Sequence, residues 1–300
     1  MLMNALQAVL VAGIIAYCAL LYKSFRKQAH YGRLDPNTSM LKVGVVGAIA
    51  NFLDTLGIGS FAIKTAFYKQ FKMIDDRVLP GTLNGQCVLP TMTQALLFIG
   101  AVPVDPLTLI SMIVASAVGA AVGAKYVANW NRQLVRLVMS ISLLIVGMLI
   151  LAGLMGWFPL GGEKMGLTGL PLLIGIAGNF VFGALMTVGI GLYAPCMTLV
   201  YLLGMNPMAA FPIMMGSCAI LSVFSSGAFM RQGAFDAKAV LVVAIAGPIA
   251  VVVAATLVQN MNLEMLKWLL TVVVFYTAIT MYRSWQSTEK LTAQRLAKAV

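Results

Sequence analysis

Charge is scarce in this 300-residue chain: 10% of its residues are Asp, Glu, Lys or Arg, nine of them acidic, and there is a single histidine. Soluble domains carry roughly 25% charged residues, so this chain cannot cover a surface of its size against water. The lone His30 sits in a basic loop. The four cysteines (Cys18, Cys87, Cys196, Cys218) all fall in apolar runs without a Cys-x-x-Cys pair, which supports neither a metal centre nor a disulfide framework. Also missing are a phosphate-binding loop, a Ser/His/Asp set, paired carboxylates and a His-Glu-x-x-His segment. These absences argue against hydrolysis and against ATP-driven transport by this chain alone. The expected protein is not an enzyme.

What the chain does have is apolar length. Apolar residues make up 61% of it, in runs near 5–22, 41–67, 78–102, 107–127, 134–158, 170–203, 208–230, 239–258 and 266–282, several beyond the ~18 residues that a bilayer-spanning helix needs. Strands of a membrane barrel would alternate polar and apolar residues; these runs do not, so helical spans are expected. The first run lacks a basic N-terminal flank and is followed by Lys23, Arg26 and Lys27. That order is the reverse of a cleavable signal and predicts a retained anchor with its N-terminus outside. The net charge of +11 sits in short loops between spans, which suits the positive-inside rule better than nucleic-acid binding.

Self-comparison finds a repeat at an offset of about 132 residues. Gly57-Ile58-Gly59 matches Gly189-Ile190-Gly191, Met73 matches Met205 and Pro80 matches Pro212; at one residue less, Asn131 matches Asn262. Small residues spaced by four recur between them, Ala115, Gly119 and Gly123 against Ala246, Ala250 and Ala254, a pattern that lets helix backbones approach closely. The expected divisions are 1–42 (an added span and basic linker), 43–157 and 170–284 (the two repeats) and 285–300 (a cytoplasmic tail).

Eighteen of the twenty lysines and arginines cluster at 23–42, 64–77, 125–136, 231–238 and 283–298. If every run crossed once, two clusters would fall outside, against the rule. If each repeat instead opens with a re-entrant hairpin broken at its Gly-Ile-Gly, all eighteen lie inside. The expected fold is therefore an all-α polytopic membrane protein of two inverted repeats, each a glycine-broken re-entrant helix hairpin plus three spans, with one extra N-terminal span. Inverted repeats with broken helices are a recurring transporter plan.

At membrane depth, backbone that leaves helical geometry survives only beside protein or a wet cavity. Each break would start a short helix, at Ser60 or Leu192, whose N–H groups attract an anion; close packing is the competing role for Gly57, Gly59, Gly189 and Gly191. Asp54 is the one acid deep in an apolar run, a candidate coupling group by default or a cap for the helix that follows. Its counterpart is Met186. Lys64, whose counterpart is Cys196, can reach an anion, pair with Asp54 or snorkel to the surface. Asn84 and Gln86 offer amides to an oxyanion or between helices. Phe61 and Tyr193, at equivalent positions after the breaks, could flank a ligand ring or simply pack.

The segment Asp54-Thr-Leu-Gly-Ile-Gly-Ser-Phe-Ala62, followed by Asp75-Asp-Arg-Val-Leu-Pro-Gly-Thr-Leu-Asn84, resembles the sulfite exporter TauE/SafE family of anion permeases over about residues 43–284. The resemblance implies secondary transport of sulfite, sulfonates (toluenesulfonate among them) or related organic acids in a bacterial inner membrane. It implies no organic cofactor, with protons or sodium as candidate coupling ions and a homodimer as a candidate assembly. Ser60 and Leu192 stand where many members continue with glycine, and Lys64 and Gln86-Cys87 also depart from the common pattern, so an aromatic sulfonate becomes a candidate specialisation. The expectation is a permease for a small sulfur-containing anion, C-terminus cytoplasmic; a passive anion channel or a carboxylate permease is the alternative.

Overall fold

A computed structural model describes residues 2–32, 34–36, 38–126, 132–157, 162–186 and 191–299, and the side chains of these except 2, 124–126, 132, 135, 228 and 288–299. Every element named here is a helix: α1 (Leu2–His30), α2 (Met40–Thr55), α3 (Ser60–Gln70), α4 (Leu79–Ala101), α5 (Pro106–Tyr126), α6 (Arg132–Leu154), α7 (Gly169–Met186), α8 (Tyr193–Leu202), α9 (Pro207–Gln232), α10 (Ala237–Gln259) and α11 (Leu263–Ala299). Among the described residues seven helices are long and apolar enough to cross a membrane: α1, α5, α6, α7, α9, α10 and α11. The chain is a multi-pass membrane protein. α4 has the length of a span but stays outside that set, although the sequence reads 78–102 as one. Its Thr82, Gln86, Thr91 and Gln94 are buried among neighbouring helices, where their polarity meets partners instead of lipid.

The chain forms two compact units, residues 1–113 with 211–261, and 114–210 with 262–300. Each draws on both sequence repeats, so these units divide the chain differently from 43–157 and 170–284.

In the first unit α10 packs against both α2 and α4, and glycines mark the contacts. A methyl group at Gly47 would collide with Val243, one at Gly81 with the Ala234 carbonyl, one at Gly85 with Val240, and one at Gly247 with Pro90 and Asn51. Such close approach is how helices associate where lipid removes the hydrophobic drive. α1 joins through Tyr17, whose hydroxyl donates to Gly85 O at 2.7 Å. α3 folds back along α2: Val43 near the start of α2 and Tyr68 near the end of α3 share one apolar cluster with Ile74, Leu79, Leu83, Ala239 and Val243. The chain thus enters and leaves this hairpin at the same level. Nearby, Lys27, Arg77 and Arg231, from three separate basic clusters, line one cleft of about 420 Å³.

In the second unit α5 and α7 meet through Gly119, Gly123 and Gly183, at which a methyl group would strike Phe180, Ala184 and Ser116 backbone respectively. Gly119 and Gly123 therefore act as the small-residue spacing predicts. α8 folds back on α7, with Leu199 seated over Gly178. This hairpin closes where Asn206 N–H donates to Lys164 O at 2.9 Å. α11 lies along α6, the Ser140 hydroxyl donating to Ala278 O at 2.8 Å.

The two returning helices end in the same turn. Met73 N–H reaches back to Tyr68 O (2.9 Å) and Met205 N–H to Val200 O (3.2 Å). In each case the preceding residue has positive φ, +48° at Lys72 and +85° at Gly204. These are Schellman-type closures, and all three positions correspond at the 132-residue offset.

Candidate anion site in the first hairpin

α3 is an inside-out helix. Its buried residues are Ser60, Lys64 and Tyr68, one face at four-residue spacing, while Phe61 and Phe67 face outward. A helix that buries its polar stripe and exposes its aromatics has lipid-like surroundings outside and a polar interior within.

The break before α3 is built from two devices. Gly57, at φ +96°, closes α2: its N–H donates to Asp54 O at 2.9 Å, and the Ile58 N–H to Leu53 O at 3.1 Å. This again is a Schellman closure, so the Gly57 amide is committed to α2. Gly59 then takes φ +85° and ψ 123° and precedes α3 without a side-chain cap of its own. The missing cap comes from α2: Asp54 Oδ1 accepts the Ser60 N–H at 2.6 Å. Of the two roles the sequence allows for Asp54, capping is present in the structure.

Asp54 is also held from α4. The Gln94 amide donates to Asp54 Oδ2 at 3.0 Å and to Thr55 Oγ1 at 2.9 Å. Across the hairpin the Lys64 ammonium donates to Asn51 Oδ1 at 3.3 Å and approaches Cys87 Sγ at 3.9 Å. Asn51 is itself oriented by donating to Gly47 O at 2.7 Å. Ser60 Oγ lies 3.7 Å from Cys87 Sγ and so links the Asp54 and Lys64 sides of the cluster. Lys64 is 0% exposed and Asp54 4%. Lys64 therefore does not snorkel: its head would have to pass Tyr68, which is equally buried, to reach water. The basic cluster at 64–77 keeps Lys69, Lys72 and Arg77 as its surface members. The surface ion pairs beside them are Lys69–Asp76 and Arg77–Asp75. In that loop the Arg77 backbone N–H, and then its guanidinium, hold the Asp75 carboxyl below its usual range.

Other residues singled out by the sequence take different places. Gln86 is buried but knits helices, accepting from the Tyr68 hydroxyl at 3.1 Å and donating to Ala239 O at 3.0 Å. Asn84 donates to Pro80 O on its own helix at 2.8 Å, away from the cluster. Phe61 points outward at 39% exposure, whereas Tyr193 is buried. Gly189 lies outside the described residues. Gly59 and Gly191 do not serve close packing among the described residues, none of which lies within 4 Å of where a methyl group would stand at either. Close packing, the competing role for these two glycines, is therefore absent at both. At Gly59 the requirement for glycine comes from the positive φ.

Asn51 and Gln94 were not read from the sequence as site residues. Gln94 had a signal, a lone amide in the apolar end of α4. Asn51 had one in its match to Asn179, which is likewise wholly buried.

Chemically, the cluster offers one ammonium, one carboxylate, one thiol, two amides and a short helix whose N-terminus that carboxylate caps. It can bind and exchange charge. In comparisons with family models, with curated proteins and with solved structures, nothing matches this chain.

Proposed function

We propose that this protein is a secondary transporter for a small sulfur-containing organic anion, a sulfonate or sulfite, of the TauE/SafE kind. It works without organic cofactor or covalent chemistry, by alternating access of two inverted repeats in a bacterial inner membrane. The observation that carries the reading is Lys64: a fully buried ammonium whose contacts are one amide oxygen and one thiol. Desolvating an ammonium costs several kcal/mol, and a neutral acceptor at 3.3 Å with a sulfur at 3.9 Å offsets only part of that. An oxyanion arriving beside it supplies a charged hydrogen-bond acceptor in place of the amide oxygen and the thiol, with the head of α3 adding its dipole.

The inverted-repeat reading draws support from the equal order of elements in the two halves and from the shared closures at Met73 and Met205. Convergence of Lys27, Arg77 and Arg231 on one cleft favours a common, cytoplasmic side for their three clusters. With the N-terminus outside, the C-terminus is then cytoplasmic. A sulfonate keeps its charge at any physiological pH and so offers Lys64 an anionic acceptor throughout that range.

Counterflow tests the reading. Purified protein in liposomes preloaded with unlabelled p-toluenesulfonate should transiently accumulate labelled p-toluenesulfonate above its outside concentration. A passive channel gives equilibration without overshoot. Failure of toluenesulfonate, sulfite and small carboxylates alike to exceed protein-free liposomes would contradict the transporter reading.

A further inference from the structure

The head of α3 already holds an anion, the carboxylate of Asp54. Oδ1 takes the Ser60 N–H at 2.6 Å and Oδ2 takes the Gln94 amide at 3.0 Å, the donors that an incoming oxyanion beside Lys64 would need. Ser60 is also the residue that adjoins Cys87 next to the ammonium. A substrate on Lys64 and a charged Asp54 on Ser60 would be two anions within one buried cluster, and like charges at such range do not both persist.

We infer that Asp54 and the transported anion compete for the donors at the head of α3, so that the anion enters only with a proton bound to Asp54. Protonation turns one carboxylate oxygen into a donor, releases the Ser60 N–H and leaves the cluster with the net charge it had before the substrate arrived. Capping and coupling, alternatives in the sequence, become two phases of one device. The inference rests on the anion-carrier reading of the Lys64 site and names the proton as co-substrate.

Other ionisable groups that surround Asp54 do not replace it. α3 presents Lys64 and Tyr68 and α4 presents Cys87; on α1, Tyr17 is committed to Gly85 O and Cys18 is exposed. The ionisable side chains of α10, Asp236 and Lys238, are at its N-terminal end, engaged with Thr38 and with Asp35 O. Among these types only carboxyl groups ordinarily titrate in the acidic range. His30 lies at the end of α1 against Tyr31 and serves as the control.

The test uses p-toluenesulfonate, which stays anionic throughout, and titration calorimetry of the detergent-solubilised protein in buffers of different ionisation enthalpy. The wild type should take up close to one proton per sulfonate bound. Its affinity should rise by up to about tenfold for each unit of pH lowered between about pH 8 and pH 5.5, the slope for one linked proton. Asp54→Asn should bind with no proton uptake and a flat pH profile, and His30→Gln should behave as wild type. Wild-type binding without proton uptake overturns the inference and leaves the carrier reading standing; so does undiminished uptake in Asp54→Asn. Absence of sulfonate binding at every pH removes both. Should Asp54→Asn fail to fold, the wild-type proton count alone decides.

Discussion

The two broken hairpins share their plan and differ in their contents. Each runs one helix in, breaks, and returns a helix of ten or eleven residues (α8, α3) to the same Schellman closure. The first carries Asp54 and Lys64 on either side of its break. The second has Met186 and Cys196 at those positions, and Cys196 is wholly buried. The first closes through a charged loop with Asp75 and Arg77, the second through a backbone bond between Asn206 and Lys164. The lesson is that the hairpin is a scaffold that needs no charge: its return is set by Schellman turns, with a positive-φ glycine at the break of the first, and by helix contacts. The buried ion-bearing cluster belongs to the first hairpin, and a feature that costs desolvation invites a functional explanation.

The comparison can be broken by moving the charge. Cys196→Lys places an ammonium at an apolar, fully buried position of the second hairpin, where desolvation opposes any charge. The expected loss is about 3–5 kcal/mol, the scale for an uncompensated buried ion, seen as loss of monodispersity or a collapsed melting temperature in detergent. A Cys196→Lys protein that melts as wild type would mean that the second hairpin already holds an acceptor for a cation, and the asymmetry would be gone.

The glycines sharpen the comparison at smaller scale. Gly59 and Gly191 both face open space, but Gly59 alone takes a φ of +85°. Gly59→Ala should cost about 1–3 kcal/mol through backbone strain, while Gly191→Ala should stay within about 0.5 kcal/mol. Thermal melting of the two variants checks this directly, and equal losses would refute the assignment of strain to the first break only.

Much of the architecture was legible because glycine and charge are read locally. The first Gly-Ile-Gly marked a real interruption, at 56–59 between α2 and α3; of the second, Gly189 and Ile190 lie outside the described residues and Gly191 precedes α8. The charge count demanded a returning hairpin, and α3 does return along α2. The apolar run at 78–102 was legible as a helix, but α4 stands outside the apolar spans, since it carries amides and hydroxyls that only neighbouring helices can satisfy. The role of each glycine was not legible: φ at Gly57 and Gly59 follows from the path of the chain, and packing at Gly47, Gly85 and Gly247 follows from α10 lying against α2 and α4. For the same reason Asn51 and Gln94 escaped notice. They join the site through contacts 13 and 40 residues away in sequence. Phe61, read as flanking a ligand ring or packing, points outward, because both faces of a membrane helix can be apolar. The better signal was the polar spacing Ser60, Lys64, Tyr68, which identifies the inward face.

The central claim is that the Lys64 ammonium receives the anion, and Lys64→Met tests it most directly. The substitution keeps an unbranched chain and removes the buried ammonium while Asp54 keeps its donors Ser60 and Gln94, so the protein should stay folded and monodisperse in detergent. Its affinity for p-toluenesulfonate, measured by titration calorimetry, should weaken by about 1–3 kcal/mol, the range for a hydrogen bond to a charged group. A folded Lys64→Met protein that binds the sulfonate as tightly as wild type would contradict the account and place the anion elsewhere.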